Sequence, residues 1–425
     1  MQECFVIKGD ICHSLGPNML EAVENGYVVC EYGRSSGVFR KLPERFKGLP
    51  LLDYSGRLVM PGLVDLHVHA SQYNYRGTGM DCQLLEWLDA YAFPEELHFS
   101  DEEYARQVYS RFTEDMRRGP NTRACVFATS HTESTLLLME LMEQSGLVSM
   151  VGRVSMDLSA PDGLRERDAN YAISEERRFF ELSAGRFEHT EPIITPRFVP
   201  SCSPELLWKL GELRKEYDAP VQSHLSENEG EVKLVGTMHP LSKFYGDVYD
   251  KFGLFGGDYQ RVVMAHCVLS TQKELELMWD RGVYIAHCPA SNMNVRSGIA
   301  PVRSFLNMGL HCGLGSDVAG GTQLSIFRAM ADAIQVSKLR WRLVDDQLAP
   351  LSAMEAFWMG TAGGGALFNT GSFEKQREFD AIVIDESRYA PVGSLGDIGR
   401  RLERCIYLSD DRDVKHKFVR GRQLF

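Results

Sequence analysis

This 425-residue chain contains a series of eight short, apolar, β-rich segments separated by longer segments with helical spacing, a pattern that few folds accommodate. The eight segments are residues 58–69, 123–130, 147–158, 192–200, 219–226, 261–268, 283–289 and 311–317. Because their apolar residues run almost continuously, we expect strands that are buried on both faces, as in a parallel sheet covered by helices. Eight such β-then-α units predict an α/β fold of the (β/α)8 TIM-barrel type.

The intervening segments carry recognisable helix signals. Ser203 and Pro204 form an N-cap and a first-turn proline ahead of leucines at helical spacing, and Gly282 ends another helical segment. Residues 131–146 have the same form and also end in glycine. A doubly wound open sheet is the structural alternative, but eight strands and the absence of a G-x-G-x-x-G segment argue against a nucleotide-binding version.

The two ends of the chain differ from its middle. Both carry short strand-like segments with glycine and charged turns between them. We therefore expect residues 1–57 and 368–425 to meet as the two parts of one small, β-sandwich-like domain. Residues 58–367 would then form the catalytic barrel domain.

Composition limits the partners that the protein can have. Its 44% hydrophobic and 24% charged residues are typical of a globular protein with a sizeable core, and they exclude a disordered chain. The net charge is −12, from 46 basic and 58 acidic residues, so the chain lacks the basic footprint that nucleic acids and anionic membranes require. We expect a small-molecule partner, with no nucleic acid and no membrane.

Cysteine usage and the N-terminal sequence indicate the compartment. Ten cysteines occur without any C-x-x-C pair, and their share of the chain is far below that of a disulfide-based scaffold. The N-terminal segment lacks the basic region followed by an apolar region that a secretory signal has. These features predict a reducing, cytoplasmic location.

Four histidines and one aspartate stand at the ends of predicted strands. His67 and His69 lie two apart on the first strand, so their side chains point to the same face. His224 ends the fifth strand, His266 the sixth and Asp317 the eighth. Because the active sites of TIM barrels lie at the C-terminal strand ends, we expect all five to converge there. Imidazoles and a carboxylate around one point suit a divalent first-row metal, above all zinc, with one position open for water.

A single histidine on a strand is more often a satisfied core residue than a metal ligand, so the combination carries this prediction. His131 and His287 also follow strand ends and are second-tier candidates for the cleft. Five others have no such context and are expected at the surface or in structural roles: His13, His98, His189, His239 and His416.

Glu227 stands three residues after His224, just beyond a strand that carries a predicted ligand. From there its carboxylate can reach both a metal-activated water and a substrate atom, which is the position of a general acid–base group. The competing interpretation is a solvated loop glutamate. Glu229 and Glu231 follow closely and are expected to be charges at a helix start.

The order of these residues resembles the amidohydrolase superfamily, in its hydrolytic deaminase branch, and within it the guanine deaminases. The segments that resemble this family, in chain order, are VMPGLVDLHVHASQY, LLEWLDAYAFPEE, TPRF, QSHLSE, HCPASN and GLGSDVAGG. The segment GGALFNTGSFEKQREFDAIVID is similar to the family's return into its small β domain. HASQY together with TPRF is more specific to guanine than the metal-binding pattern. Ala290, in HCPASN, departs from similar sequences that often have asparagine there, which leaves one polar contact open.

The resemblance implies one zinc ion per chain. The implied metal contacts are His67, His69, His224, His266 and Asp317. His266 would either be a longer fifth contact or orient the attacking water, and Glu227, His266 and Asp317 would be the catalytic residues. The implied substrate contacts are His69, Ser71, Gln72, Arg197, Phe198, His224, Glu227 and Asp317. For Arg197, the competing interpretation is a structural salt bridge at the barrel rim.

The implied reaction is the hydrolysis of guanine to xanthine and ammonia by a homodimer. Related deaminases that act on 8-oxoguanine, a triazine, cytosine or an adenosine thioether are alternatives. A two-metal, ring-opening amidohydrolase would need a bridging lysine on the fourth strand, and residues 189–202 contain none. The non-enzyme alternative is a scaffolding protein on the same fold, and the presence of every expected ligand favours an enzyme.

Overall fold

The computed structural model describes residues 4–257 and 261–425, so residues 1–3 of the predicted N-terminal β segment lie outside the described residues. Within these ranges the strands of the terminal sheet are β1 (Cys4–Gly16), β2 (Met19–Glu31), β3 (Arg34–Phe39), β4 (Leu51–Met60), β15 (Ala381–Ile384), β16 (Val414–Val419) and β17 (Arg422–Gln423). The strands of the barrel are β5 (Leu63–His69), β6 (Asn121–Phe127), β7 (Val148–Gly152), β8 (Val154–Ser155), β9 (Thr190–Pro192), β10 (Thr195–Pro196), β11 (Val221–Leu225), β12 (Val262–His266), β13 (Tyr284–His287) and β14 (His311–Leu314).

The α-helices of the described residues are α1 (Leu84–Trp87), α2 (Phe93–Leu97), α3 (Glu102–Arg118), α4 (Thr132–Ser145), α5 (Ala169–Ser183), α6 (Pro204–Tyr217), α7 (Glu229–Met238), α8 (Tyr245–Lys251), α9 (Gln272–Arg281), α10 (Pro289–Asn294), α11 (Val302–Asn307), α12 (Ile326–Leu343), α13 (Ala353–Trp358) and α14 (Ile398–Leu408). The predicted signals bound these helices. Ser203 Oγ accepts a hydrogen bond from the backbone N of Leu206 at the start of α6. Gly146 and Gly282 end α4 and α9 with φ of 76° and 68°, a conformation that glycine adopts without strain. None of these helices is both long and apolar enough to cross a membrane.

Parallel strands form the centre of the molecule. One sheet has the order β5-β6-β7-β9, another has the order β11-β12-β13-β14, and β8 pairs with β10. A parallel bridge between Ile194 and Val221 joins the two larger sheets. The backbone N of Asp317 donates to the carbonyl of His67 at 2.8 Å, which joins the last segment to the first. These contacts link the eight predicted segments in the circular order expected of a (β/α)8 barrel.

The third and fourth barrel segments are each split into two short strands. Pro192 and Pro196 lie on the fourth segment and lack the N–H group that a continuous hydrogen-bonded ladder needs. An apolar cluster drawn from different barrel segments packs together and includes Leu66, Cys125, Met150, Ile193 and Val263. The helices pack against a second, larger cluster that also includes residues of the strands.

Both ends of the chain build one seven-stranded sheet with the order β17-β16-β15-β4-β1-β2-β3. The backbone N of Ser35 donates to the carbonyl of Arg377, and that of Phe379 donates to Gly33, at 2.9 and 2.8 Å. These bonds tie β3 to the segment before β15, so the sheet curls back on itself around an apolar core. The predicted sandwich-like unit is therefore one continuous, curled sheet.

The terminal unit differs from the prediction in two details. The predicted boundary between residues 57 and 58 falls inside β4, which remains in the terminal sheet as far as Met60. Pro61 and Gly62 then separate β4 from the first barrel strand. The C-terminal part, expected to carry short strands, also contains the helix α14, whose Ile398, Leu402 and Cys405 are buried at helical spacing.

Candidate active site

The predicted metal ligands converge at the C-terminal ends of the barrel strands. His67 and His69 lie on β5, His224 lies on β11, His266 is the last residue of β12, and Asp317 follows β14 by three residues. Four of these side chains are buried, and His224 is slightly more exposed. The strand ends therefore bring together residues that are up to 250 positions apart, as the barrel prediction required.

The side-chain atoms of these residues lie within reach of one another. The Nε2 atoms of His69 and His224 are 3.2 Å apart, and Asp317 Oδ1 lies 3.2 Å from His67 Nε2 and 3.5 Å from His69 Nε2. His266 Nε2 lies 3.7 Å from Asp317 Oδ2. Two trios have ligand atoms that all lie within 4.8 Å of one another, namely His67, His69 and His224, and His67, His266 and Asp317.

The charge states suit a metal ion. Burial lowers the pKa of His67, His69 and His224, so these imidazoles are neutral near pH 7 and their lone pairs are available. Although burial alone would raise it, the surrounding imidazoles hold the pKa of Asp317 well below its usual range. The buried Nε2 atoms of His67 and His266 have no hydrogen-bond partner among the described residues. A bound cation would satisfy them, so the donor set fits a metal.

Two hydrogen bonds orient the imidazoles. His224 Nδ1 lies 2.5 Å from the backbone carbonyl of Arg197, and His266 Nδ1 lies 2.9 Å from Asn292 Oδ1. In each case Nδ1–H donates to an oxygen, which leaves the Nε2 lone pair directed at the cluster. Asn292 lies in the HCPASN segment, but the sequence did not indicate that it contacts His266.

The backbone at three strand ends adopts an uncommon conformation. Ser226, His266 and Asp317 have φ of 47°, 74° and 46°, in the left-handed region that side chains other than glycine rarely adopt. Such a residue costs about 1–3 kcal/mol and persists only where surrounding contacts hold it, as often happens at functional sites. At these three residues the backbone changes direction at or just after the end of a barrel strand.

Glu227 lies between β11 and α7 and faces the same cluster. Its Oε2 is 3.5 Å from His266 Nε2, and Ser297 Oγ donates to its Oε1 at 3.4 Å. Only 3% of Glu227 is exposed, which excludes the solvated-loop interpretation. Burial, together with the charges of Glu231 and Asp317, raises its pKa well above the ordinary range. The carboxyl group can therefore hold a proton near neutral pH.

The two glutamates after Glu227 differ from one another. Glu229 is exposed, as expected of a charge at a helix start. Glu231 forms a capping box with Asn228 at the start of α7, but it is fully buried. Its carboxylate accepts hydrogen bonds from the backbone N of Glu227 at 3.0 Å and from the Tyr245 hydroxyl at 2.7 Å. Glu231 thus fixes the backbone that carries Glu227, a contact that the sequence did not predict.

A cavity opens onto this cluster. Its lining residues are His69, Gln72, Leu84, Trp87, Leu88, Arg197, Phe198, His224, Glu227, His266, Ser291, Val295 and Asp317. Seven of the eight predicted substrate contacts are therefore among them. Ser71 is not, although it is buried beside Gln72. Leu84, Trp87 and Leu88 add an apolar wall that was not predicted.

One end of the cavity is polar. Arg197 Nη1 and Nη2 donate to Glu96 Oε2 and Oε1 at 2.5 and 3.0 Å, and Gln72 Nε2 donates to Glu96 Oε1 at 2.9 Å. The guanidinium carbon of Arg197 lies 4.9 Å from the centre of the Phe93 ring. Arg197 therefore lines the cavity and also forms a buried ion pair. Glu96 belongs to the FPEE part of LLEWLDAYAFPEE, yet the sequence did not reveal this partner.

The second-tier histidines do not line the cavity. His287 ends β13 and is buried, and its two ring nitrogens lack hydrogen-bond partners among the described residues. His131 precedes α4 and lines a separate surface depression with Arg153 and Glu133.

Known proteins share this architecture. Residues 58–424 match the family model described as "Amidohydrolase family". Guanine deaminase of Homo sapiens is 39% identical over 379 residues, which cover 86% of this chain and 82% of that protein. Guanine deaminase of Dictyostelium discoideum is 33% identical over 451 aligned positions, which cover 99% of this chain and 98% of that protein. The crystal structure of C. acetobutylicum guanine deaminase with bound guanine in the active site is 42% identical, with a TM-score of 0.95 over 99% of this chain and 100% of that chain. The chain therefore belongs to the amidohydrolase family, alongside the guanine deaminases of these three organisms.

Proposed function

We propose that this protein is a metal-dependent hydrolase that converts guanine and water to xanthine and ammonia. The observation that carries the proposal is one cavity lined by metal-ligating side chains, by the buried carboxyl group of Glu227, and by the polar pair Gln72 and Arg197. The similarity to guanine deaminases, one of them solved with guanine in its active site, supports guanine as the substrate.

The proposed metal is one zinc ion per chain. His67, His69, His224 and Asp317 would hold it, since neutral imidazoles and a carboxylate are preferred zinc donors. His266 is close enough to be a fifth contact or to orient the attacking water. When bound, the metal supplies Lewis-acid activation of water.

Glu227 and Asp317 move protons in the proposed reaction. A cation bound beside Glu227 would favour the carboxylate form of its side chain, and in that form Glu227 takes a proton from the attacking water and delivers it to the ring nitrogen beside the carbon that bears the amine. A second proton passes from the new hydroxyl group to the amine, so that ammonia leaves and a carbonyl remains. Asp317, held in its ionised form, accepts a hydrogen bond from the water. Burial of Glu227 keeps these protons from exchanging with bulk solvent.

The remaining lining residues bind the base. Phe198 and the apolar wall of Leu84, Trp87 and Leu88 suit the faces of a flat purine. Gln72 and Arg197 would donate hydrogen bonds to its carbonyl group. His69 and His224 would contact the base beside the metal. Ser71, which is buried next to Gln72 in the chain, would pack against the residues that line the cavity.

The proposal extends to a cytoplasmic homodimer that binds neither nucleic acid nor membrane. All ten cysteines are free thiols, which fits a reducing compartment. The net charge of −12 disfavours polyanionic partners. Sedimentation equilibrium of the purified protein tests the dimer, and a single species with the mass of one chain would contradict it.

A deamination screen combined with metal analysis tests the function. We expect about one zinc per chain, and one ammonia and one xanthine for each guanine consumed. Chelation should abolish turnover, and added zinc should restore it. The same screen includes 8-oxoguanine, a triazine, cytosine and an adenosine thioether. Turnover of one of these without turnover of guanine would overturn the proposed substrate, and a protein without metal or turnover would indicate a scaffold.

A further inference from the structure

Glu96 is a buried carboxylate that lies behind the cavity and is not among its lining residues. It sits on α2, and only 1% of it is exposed. Its two oxygens accept three hydrogen bonds, two from Arg197 and one from Gln72. Both donors line the cavity. Among the described residues that line the cavity, Glu96 therefore contacts these two side chains and can act on a bound ligand through them.

The contacts of Gln72 fix the orientation of its side-chain amide. An ionised carboxylate only accepts hydrogen bonds, so Nε2 must face Glu96. The backbone N of Ala319 donates to Gln72 Oε1 at 3.3 Å, so the oxygen must face the other way. One N–H group of the amide is used by Glu96, and the second has no partner in the described part of the chain and is left for a ligand.

The contacts of Arg197 have the same effect on the guanidinium group. Glu96 receives two of its five N–H groups in a forked arrangement, which fixes the plane of the group. The other three N–H groups donate to no residue within 4–257 and 261–425. The ring of Phe93, also on α2, packs against this plane. Because Arg197 and Glu96 neutralise each other, the polar end of the cavity is stable without a ligand. A purine that carries an amine at this end of the cavity therefore leaves no charge unpaired. Its N–H groups instead face the N–H groups of Arg197 and Gln72, which cannot accept a hydrogen bond.

We propose that Glu96 is a specificity-determining positioning residue, which aims the free N–H groups of Arg197 and Gln72 at the ring carbonyl of the purine. The inference rests on the proposed function, since it explains how that site selects guanine. A purine with an amine at this position places its own N–H groups against those of Arg197 and Gln72. A purine with hydrogen at this position gives neither residue an acceptor. Sites built on such polar matching reject analogues strongly, by about 10⁴-fold.

The test compares guanine with 2-aminopurine, which keeps the reacting amine but has hydrogen in place of the carbonyl. In Glu96→Gln, the N–H groups of the new amide face the N–H groups of Arg197 and Gln72. The two side chains should therefore rotate away from the positions in which they donate to the purine. We expect kcat/KM for guanine to fall at least about thirtyfold, mainly through KM. The dissociation constant of 2-aminopurine, measured by its fluorescence, should change less than about threefold. Glu95→Gln, on the same helix but outside the cavity, is the matched control and should change neither value.

The outcomes separate the inference from the proposed function. Wild-type protein that does not turn over guanine would overturn the proposed function itself. Wild-type turnover combined with equal losses for both ligands in Glu96→Gln would show that Glu96 only supports the fold. Zinc content and unfolding midpoint are measured for each variant. If Glu96→Gln does not fold, Glu96→Asp replaces it, because the shorter carboxylate cannot reach Arg197 and Gln72 together. The same selective loss of guanine is expected, and a parallel loss would refute the inference.

Discussion

At the scale of single residues, the site consists of buried ionisable groups whose partners decide what each can do. Glu227 is near the predicted ligands but is not needed to complete either ligand trio. Arg197 was expected to contact the substrate together with Gln72, with a structural salt bridge as the competing interpretation, and the structure pairs it with the buried Glu96. These two residues therefore allow separate tests of proton transfer and of recognition.

Glu227→Gln should keep the metal and lose the reaction. The amide preserves the shape of the side chain but cannot carry a proton between water, ring nitrogen and amine. General acid–base groups contribute about 10²–10⁴-fold to the rate, so kcat should fall at least about a hundredfold. The zinc content should stay at that of the wild type. Glu229→Gln, two residues away and exposed, is the control. Turnover above about a tenth of the wild-type rate would refute the role of Glu227.

Arg197→Met should reduce both recognition and stability. We expect guanine turnover to fall at least about a hundredfold, because the apolar side chain cannot donate to the carbonyl. The variant also leaves Glu96 buried without its cation, so the free energy of unfolding should fall by about 3–5 kcal/mol in urea denaturation. The double variant Arg197→Met with Glu96→Met should recover much of the stability but none of the activity. If Arg197→Met kept near wild-type efficiency, Gln72 would be the next residue to test.

At the scale of elements, a buried charge cluster holds α5 against the third barrel segment. Arg153 follows β7, is 1% exposed, and contacts the carboxylates of Glu166 and Glu176. Ser155 Oγ, on β8, donates to Glu176 at 3.0 Å. One cation faces two carboxylates here, and Glu176 Oε1 has no partner among the described residues. A proton on Glu176 would relieve the excess negative charge.

Stability should therefore respond to pH through Glu176. Burial, partly offset by Arg153, raises the pKa of Glu176 from 4.5 to about 7. The folded state binds this proton more tightly than the unfolded state, so the contribution is fully present below pH 4.5 and is lost as pH rises through about 7. Relative to wild type, Glu176→Gln should gain about 3 kcal/mol in free energy of unfolding between pH 4.5 and 8. Glu181→Gln, exposed on the same helix, should show a flat difference in urea titrations. A flat difference for Glu176→Gln as well would contradict the prediction.

At the scale of the whole molecule, buried polar contacts join the terminal sheet to the barrel. Arg123, at the start of β6, donates to both oxygens of Asp380, which directly precedes β15, at 2.5 and 2.7 Å. Lys417 on β16 is fully buried, and its Nζ donates to the backbone carbonyls of Met116 and Asn121. These contacts lie at the strand starts, at the opposite end of the barrel from the cavity. The proposed domains, residues 58–367 and the two chain ends, should therefore unfold together.

Arg123→Leu should destabilise the protein without affecting catalysis. Breaking this buried pair leaves Asp380 uncompensated, so we expect a loss of about 3–5 kcal/mol in free energy of unfolding. kcat/KM for guanine should stay within about twofold of wild type, because the cavity lies at the far end of the strands. Arg118→Leu removes an exposed ion pair with Glu114 and should cost less than about 1 kcal/mol. An unchanged unfolding midpoint for Arg123→Leu would show that the sheet and barrel are not coupled through this pair.

Patterns along the chain were enough to predict the barrel, the strand that carries each expected ligand, and the end of the barrel where the ligands meet. These features follow from local periodicity, because residues two apart on a strand share a face and parallel strands end on the same side. His67 and His69 could therefore be placed with His224, His266 and Asp317 before any distance was known. The resemblance to a known family added the expected substrate contacts of Gln72, Arg197 and Phe198, which stay predictions.

Contacts between side chains that are distant in sequence could not be predicted and are seen in the folded chain. Glu96 is 101 positions from Arg197, and Asn292 is 26 positions from His266, and no local pattern relates the members of either pair. The same holds for the split of the third and fourth strands and for the curl of the terminal sheet. These features could not be predicted because the partners, the burial and the proton affinity of a group depend on its three-dimensional surroundings. Strand periodicity fixes only the direction in which a side chain leaves the backbone.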